Sequence, residues 1–184
     1  MILNKITSLF LIIILSPLIL LFILAIIVDD GFPVFFKQKR VGLKNNYFWI
    51  YKFRTMKKNT PDIATHLLDS QHSLYTTIGP FLRKLSIDEI PQLINIMKGD
   101  MAFIGPRPAL HNQYDLIKSR SQKGIDQLLP GITGWAQVNG RDELSINDKI
   151  KMDEYYLKNM SIWLDIKILL MTLFKVCKSE GVYH

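Results

Sequence analysis

From Ile6 to Val28 the chain carries no charged side chain. As a helix this run is about 35 Å long, enough to cross the roughly 30 Å hydrocarbon core of a bilayer. Hydropathy by itself reads an ordinary transmembrane helix. Two features point to another path. Ser16-Pro17 stands mid-run, where proline removes a helical hydrogen bond and clashes with the carbonyl four residues back. The Ser16 hydroxyl can satisfy a backbone group freed there. Both flanks are also basic: Lys5 and the amino terminus precede the run, and Lys37, Lys39, Arg40, Lys44, Lys52 and Arg54 follow it. Basic flanks favour the cytoplasmic side. A helix bent at Ser16-Pro17 that enters and leaves by one face satisfies both ends. A kinked span with its amino terminus outside stays open. No small-x-small cleavage site follows the run cleanly, which argues against a signal peptide.

The remainder has globular composition. With 48% hydrophobic and 21% charged residues, overall disorder is excluded. The net charge of +7 suits an anionic partner, whether lipid headgroup, nucleotide or nucleic acid. Cys177 is the only cysteine, so an internal disulfide and a cysteine zinc site are excluded.

Pro33 to Val41 and Tyr47 to Met56 read as two strands around the turn Gly42-Leu43-Lys44-Asn45-Asn46, a hairpin by spacing. One face of the second strand carries Lys52 and Arg54. Lys57 to Ser73 reads as a loop or short helix. Ser86 to Gly99 reads as a helix, Met101 to Ile104 as a short strand, and Pro108 as the start of a helix running to about Lys123. Pro130 to Arg141 is glycine-punctuated and reads as irregular. Ser145 caps a helix to about Asn159, and Ile162 to Cys177 forms another. That last helix is apolar around most of its circumference, with lysines among the apolar residues, so it is either core or lies in the membrane interface. The fold class is α+β and membrane-associated: a re-entrant membrane helix over residues 1–30, then a cytoplasmic-face domain over 31–184 with a short β-hairpin and interfacial helices.

Asp88-Glu89 is the most informative pair. Ser86-Ile87-Asp88-Glu89 fits a capping box with Ser86 as N-cap. Pro91 strains that frame, because a start nearer Asp88 would put it in the tolerated first turn. In both frames the carboxylates lie by a positive helix end, which also attracts phosphate. An ionised Asp at a phosphate site can act as a nucleophile, and two adjacent carboxylates can hold Mg²⁺. Arg83-Lys84 lies just upstream and can neutralise phosphate. Gly105-Pro106-Arg107-Pro108 sets one guanidinium between two prolines, fixed for bidentate contact with phosphate oxygens. A phosphate-binding glycine-lysine loop, a dinucleotide glycine fingerprint, zinc spacing and a nucleophile-elbow serine are all missing.

The ordered set of motifs resembles a known family. It comprises the apolar head with Ser16-Pro17, Tyr51-Lys52-Phe53-Arg54-Thr55-Met56, Arg83-Lys84-Leu85-Ser86-Ile87-Asp88-Glu89-Ile90-Pro91-Gln92-Leu93 and Gly105-Pro106-Arg107-Pro108. Pro130-Gly131-Ile132-Thr133-Gly134-Trp135-Ala136-Gln137-Val138-Asn139-Gly140-Arg141 follows, then Tyr155-Tyr156 and Trp163-Leu164-Asp165-Ile166-Lys167. These resemble the bacterial sugar transferases, the monotopic polyprenyl-phosphate phosphoglycosyl transferases, in their smallest form. The resemblance implies a UDP-sugar donor, a polyprenyl phosphate acceptor such as undecaprenyl phosphate, and Mg²⁺ as cofactor. It implies that Asp88 attacks the sugar-proximal phosphorus, releases UMP and holds the phosphosugar until the lipid phosphate takes it. Glu89 would assist with metal or protons. Arg83 and Arg107 would hold phosphates, and Arg54 and Arg141 would contact substrate. Asp165 matches a family position without a derivable role. A membrane location at the cytoplasmic face of the bacterial cell membrane follows, with lipid rather than nucleic acid as partner. The rival reading is a noncatalytic membrane-anchored module binding anionic lipid or nucleic acid, which leaves Asp88-Glu89 and the Pro-Arg-Pro clamp without a purpose. The identity of the sugar, the glycan pathway and the oligomeric state have no signature in the motifs.

Overall fold

The computed structural model describes residues 2–58, 60, 74–140 and 143–178. Most of the expected loop at Lys57 to Ser73, and Arg141, lie outside the described residues.

Helix α1 (Ile2–Asp30) is helical throughout, with Pro17 inside it. The expected break at Ser16-Pro17 leaves no gap in the helix. Pro17 cannot donate to the Ile13 carbonyl, and the Ser16 hydroxyl takes that carbonyl at 2.7 Å. Among the described residues α1 alone is long and apolar enough to cross a membrane, and almost none of it is buried inside the protein. Its inward residues are nonetheless shared with the body. Phe22, Ile23 and Ile26 pack with Val34, Phe53 and Leu82, and Leu11, Ile12 and Leu15 pack against Leu93, Ile96 and Met101. Each fully buried aliphatic or aromatic side chain here contributes about 1.5–3 kcal/mol.

Both ends of α1 are fastened to the same body. Near the start, the buried Ser8 hydroxyl donates to the Leu93 carbonyl at 2.5 Å. Lys5 lies against Gly99, the left-handed C-cap of the helix that follows Leu93. At the far end, Asp29 accepts from the Ile78 amide at 3.0 Å. Arg54 is ion-paired with Asp30 and donates to the carbonyls of Gly31 at 2.6 Å and Pro33 at 2.6 Å.

Strands β1 (Phe35–Val41) and β2 (Tyr47–Phe53) form the expected hairpin, antiparallel with Phe35 opposite Phe53 and Val41 opposite Tyr47. Asn95, fully buried, anchors β2. Its Oδ1 accepts from the Tyr51 amide at 3.0 Å, and its Nδ2 donates to the Trp49 carbonyl at 2.7 Å. One side chain thus satisfies two strand-edge groups that would otherwise be orphaned. Helix α2 (Gly79–Lys84) leads into a 3₁₀ turn (Ile87–Gln92), and α3 (Leu93–Lys98) follows directly. The expected Ser86 capping box does not form. Ser86 is left-handed at φ 55° and makes no side-chain cap, and regular α-helix starts only after Pro91, which lacks the amide for an earlier start.

Strand β3 (Ala102–Ile104) pairs in parallel with β4 (Gly131–Thr133). Between them lies α4 (Tyr114–Gln122), which begins six residues later than expected. Pro108 to Leu110 stays extended because β1 claims its backbone: the Val41 amide donates to the Ala109 carbonyl at 2.9 Å. The segment expected to be irregular therefore contains β4 and then the short α5 (Trp135–Val138). Helix α6 (Ile146–Asn159) has the expected cap, with the Asp148 amide donating to Ser145 Oγ at 3.1 Å. The Tyr156 hydroxyl donates to Asp165 at 2.8 Å and so ties α6 to α7 (Ile162–Lys178). Burial, and then this bond to Asp165, push the Tyr156 phenol well above its ordinary range. Helix α7 buries Ile168 but exposes Trp163, Leu169, Leu170, Leu173 and Phe174. With the exposed apolar residues of α1, this suits a place at a membrane.

Candidate active site

The 3₁₀ turn presents Asp88 and Glu89 side by side, each 7% exposed. Because Asn95 pins β2 against this region, Lys52 falls directly over the pair. Its Nζ is 3.4 Å from Asp88 Oδ2 and 2.7 Å from Glu89 Oε1. Arg107 approaches from the other side, with Nη2 at 3.1 Å from the same Glu89 oxygen. Two cations thus converge on Glu89, which steadies two adjacent buried carboxylates that would otherwise repel each other.

Arg107 is held by more than its prolines. The Arg120 side chain donates from Nη1 to the Arg107 carbonyl at 2.8 Å, and from Nη2 and Nε to Asp153 Oδ2 at 2.6 and 3.0 Å. Asp153 is 1% exposed. Burial pushes its carboxyl up, and the Arg120 charge pulls the other way. Glycines bring the Arg107 loop against the β4 loop. A Cβ on Gly131 would collide with the Gly105 amide, and one on Gly134 with the Gly105 carbonyl. Only glycine permits this approach of backbone to backbone.

A cavity of about 270 Å³ opens beside Glu89, and Asp88 is its neighbour rather than part of its lining. Glu89, Arg107, Lys84 and Lys175 supply its charged wall, and Leu11 and Leu15 of α1 part of its apolar one.

The expected residues separate in space. Asp88, Glu89 and Arg107 come together. Arg83 does not line the cavity; its guanidinium lies 5.3 Å from the Tyr75 ring centre, while its neighbour Lys84 does line it. Arg54 also stays away. It is 6% exposed and gives its donors to Asp30, Gly31 and Pro33, which fastens the end of α1. Arg141 lies outside the described residues. Sequence reading missed Lys52 as a partner of the carboxylates, although it sits within the Tyr51–Met56 motif. It also missed Arg120 and Asn95, which no motif marks.

The profile of the family described as bacterial sugar transferase matches residues 1–179. The chain belongs to that family. Among its relatives, the uncharacterized sugar transferase EpsL of Bacillus subtilis is 45% identical over 168 residues, covering 91% of this chain and 82% of EpsL. The undecaprenyl-phosphate glucose phosphotransferase of Komagataeibacter xylinus is 40% identical over 192 residues, covering 96% of this chain but 35% of that protein. The undecaprenyl-phosphate galactose phosphotransferase of Salmonella typhimurium is 34% identical, with 96% and 40% covered. This sugar transferase therefore spans well under half the length of several relatives named for a reaction.

The carboxylate pair of this sugar transferase fits a hard divalent cation in donor type. It offers adjacent carboxylate oxygens, and a cationic nitrogen already rests against both. Among the described residues no group of three or more His, Cys, Asp or Glu side chains could hold a metal. Mg²⁺ commonly binds through one or two carboxylates plus substrate phosphates and water.

Proposed function

We propose that this sugar transferase moves a phosphosugar from a UDP-sugar to a polyprenyl phosphate at the membrane surface, the initiating step of a bacterial glycoconjugate. The observation that carries the reading is Asp88 beside Glu89 under Lys52, with Arg107 on Glu89 and Glu89 in the wall of a cavity partly lined by α1. The names of the relatives support the acceptor and the class of group transferred.

In the first step an Asp88 oxygen attacks the sugar-proximal phosphorus, the bond to the bridging oxygen breaks, and UMP leaves with that oxygen. In the second, an oxygen of the lipid phosphate attacks the same phosphorus. The Asp88–phosphorus bond breaks, the carboxylate returns, and polyprenyl-diphosphate-sugar forms. Two anionic substrates thus never meet directly. Glu89 holds Lys52 and Arg107 in place, and Arg107 offers its fork to phosphate oxygens. Asp88 and Glu89 would hold Mg²⁺, which when bound neutralises charge on the donor diphosphate.

The cytoplasmic face and the re-entrant path belong to the same proposal. A helix of 29 residues rises about 44 Å. If it crossed the bilayer, its ends would lie on opposite sides of a core about 30 Å thick. Yet Ser8 is bonded to Leu93 and Asp29 to Ile78, both in the same body. Together with the basic flanks, these contacts support both ends of α1 lying on one face of the membrane.

The test is UMP release by the purified full chain from a panel of UDP-sugars with undecaprenyl phosphate and Mg²⁺. One or more donors should give UMP and lipid-linked sugar in equal amounts, and Asp88→Asn should give neither. Equal rates from wild type and Asp88→Asn would overturn the reading.

A further inference from the structure

The prolines at 106 and 108 leave the Arg107 loop short of amides to be held by, since neither residue has one. The loop is held by its carbonyls instead. Four in a row accept hydrogen bonds: Pro106 from the Gly131 amide at 3.0 Å, Arg107 from Arg120 Nη1 at 2.8 Å, Pro108 from Arg40 Nη1 at 3.0 Å and Ala109 from the Val41 amide at 2.9 Å. The outer two donors are backbone groups. The inner two, which fix the chain where the Arg107 side chain departs, are guanidinium groups from two different elements, α4 and β1.

Arg40 is braced along its own strand. Its Nη2 donates to Oε1 of Gln38, two residues back and 6% exposed. Residues two apart on a strand, and residues paired across strands, share a face. Arg40 pairs with Phe48, Gln38 with Ile50 and Phe36 with Lys52, so Arg40 and Lys52 stand on the same face of the hairpin. Lys52 reaches Glu89 Oε1 at 2.7 Å, the oxygen that Arg107 Nη2 approaches at 3.1 Å. One hairpin face therefore governs both cations on Glu89: Lys52 directly, and Arg107 through Arg40 and the Pro108 carbonyl. Arg40 is not part of the cavity lining, whereas Arg107 is.

We infer that Arg40 is a positioning residue for transfer: by holding the Pro108 carbonyl it keeps the Arg107 fork aimed at phosphate oxygens and in register with Lys52. Its part in catalysis rests on the transfer reading, whereas its hold on the loop is tested without turnover.

The experiment measures UMP release by the full chain in nanodiscs, with the active UDP-sugar, Mg²⁺ and undecaprenyl phosphate, for Arg40→Met in the wild type and in Arg107→Lys. In the wild type, Arg40→Met should lower kcat/KM for the donor at least tenfold. In Arg107→Lys, where the fork is already gone, it should lower the remaining rate less than twofold. A role in the fold alone would cut both by the same factor, and that result would overturn the inference. Amide hydrogen exchange reads the loop itself. Arg40→Met should speed exchange across residues 105–113 at least fivefold and leave residues 47–53 and 146–159 within twofold. Unchanged exchange over 105–113, or an equal rise throughout the chain, would overturn the inference as well. Where Arg40→Met does not fold, Arg40→Lys takes its place in both measurements. It keeps the charge but lacks the two-nitrogen reach to Pro108 and Gln38, and should give at least threefold effects with the same pattern. If the wild type released no UMP from any donor while residues 105–113 alone loosened, the transfer reading would fail and the hold of Arg40 on the loop would stand.

Discussion

Lys52 Nζ lies 2.7 Å from Glu89 Oε1, with the Lys52 side chain 16% exposed and the Glu89 side chain 8%. The pair is shielded from water, and Lys52 also reaches Asp88 at 3.4 Å. Removing the cation takes away a charge that touches two neighbouring buried carboxylates. Lys52→Met should therefore lower stability by about 3 kcal/mol and turnover by more than tenfold. Thermal unfolding in detergent and UMP release check the two effects. Arg107, with 30% of its side chain exposed, behaves differently. Arg107→Lys should cost less than about 1 kcal/mol of stability but should still slow turnover strongly, because the fork is lost.

Arg120 acts through Arg107 and is a positioning residue. Arg120→Met leaves Asp153 buried without its partner and should destabilise the protein by about 3 kcal/mol. Arg120→Met with Asp153→Leu removes both charges and should recover most of that loss. The Arg107 carbonyl remains unheld in the double variant, so turnover should stay low. Recovery of stability and activity together would show that Arg120 serves the fold alone.

These two residues show where sequence reading stopped. Asp88, Glu89 and Arg107 were legible because local chemistry marks them: adjacent carboxylates, and an arginine between prolines. The hairpin and the Ser145 cap were legible because their signals span only a few residues. Arg120 and Asn95 act across 13 to 46 positions of chain, where no periodicity reports them. Strand β4 is three residues long and starts with glycine, so it exists through its pairing with Ala102–Ile104 rather than through propensity. Arg54 carries the same charge as Arg107, and its bonds to Asp30, Gly31 and Pro33, set by the fold, turn it to the end of α1.

Asp29 predicts a pH dependence. Partial burial raises its pKa, but bonds from the Ile78 amide and from Thr77 and Thr76 outweigh this, and its carboxyl lies below the ordinary 3.8. A depressed folded-state pKa gives stability that is present above the unfolded value and lost as pH falls through the folded one. Asp29→Asn should cost about 1 kcal/mol at neutral pH. Between pH 6 and pH 3 the wild type should lose more stability than the variant, as read by thermal unfolding across that range.

The path of α1 can be read in cells. In a Cys177→Ser background, Asn4→Cys should resist a membrane-impermeant thiol reagent added outside. Replacing Ser16-Pro17 with Ala-Leu favours a true span, and Asn4→Cys should then react. Labelling of the parent from outside would show that the helix crosses the bilayer.

The central claim, that Asp88 carries the phosphosugar, is tested by intact-protein mass spectrometry after incubation with the active UDP-sugar and Mg²⁺ but without lipid acceptor. The account predicts a mass gain equal to one phosphosugar, with UMP released in step, lost again on adding prenyl phosphate and never seen in Asp88→Asn. Undiminished transfer by wild type with no adduct under any quench, or an adduct that persists in Asp88→Asn, would contradict it.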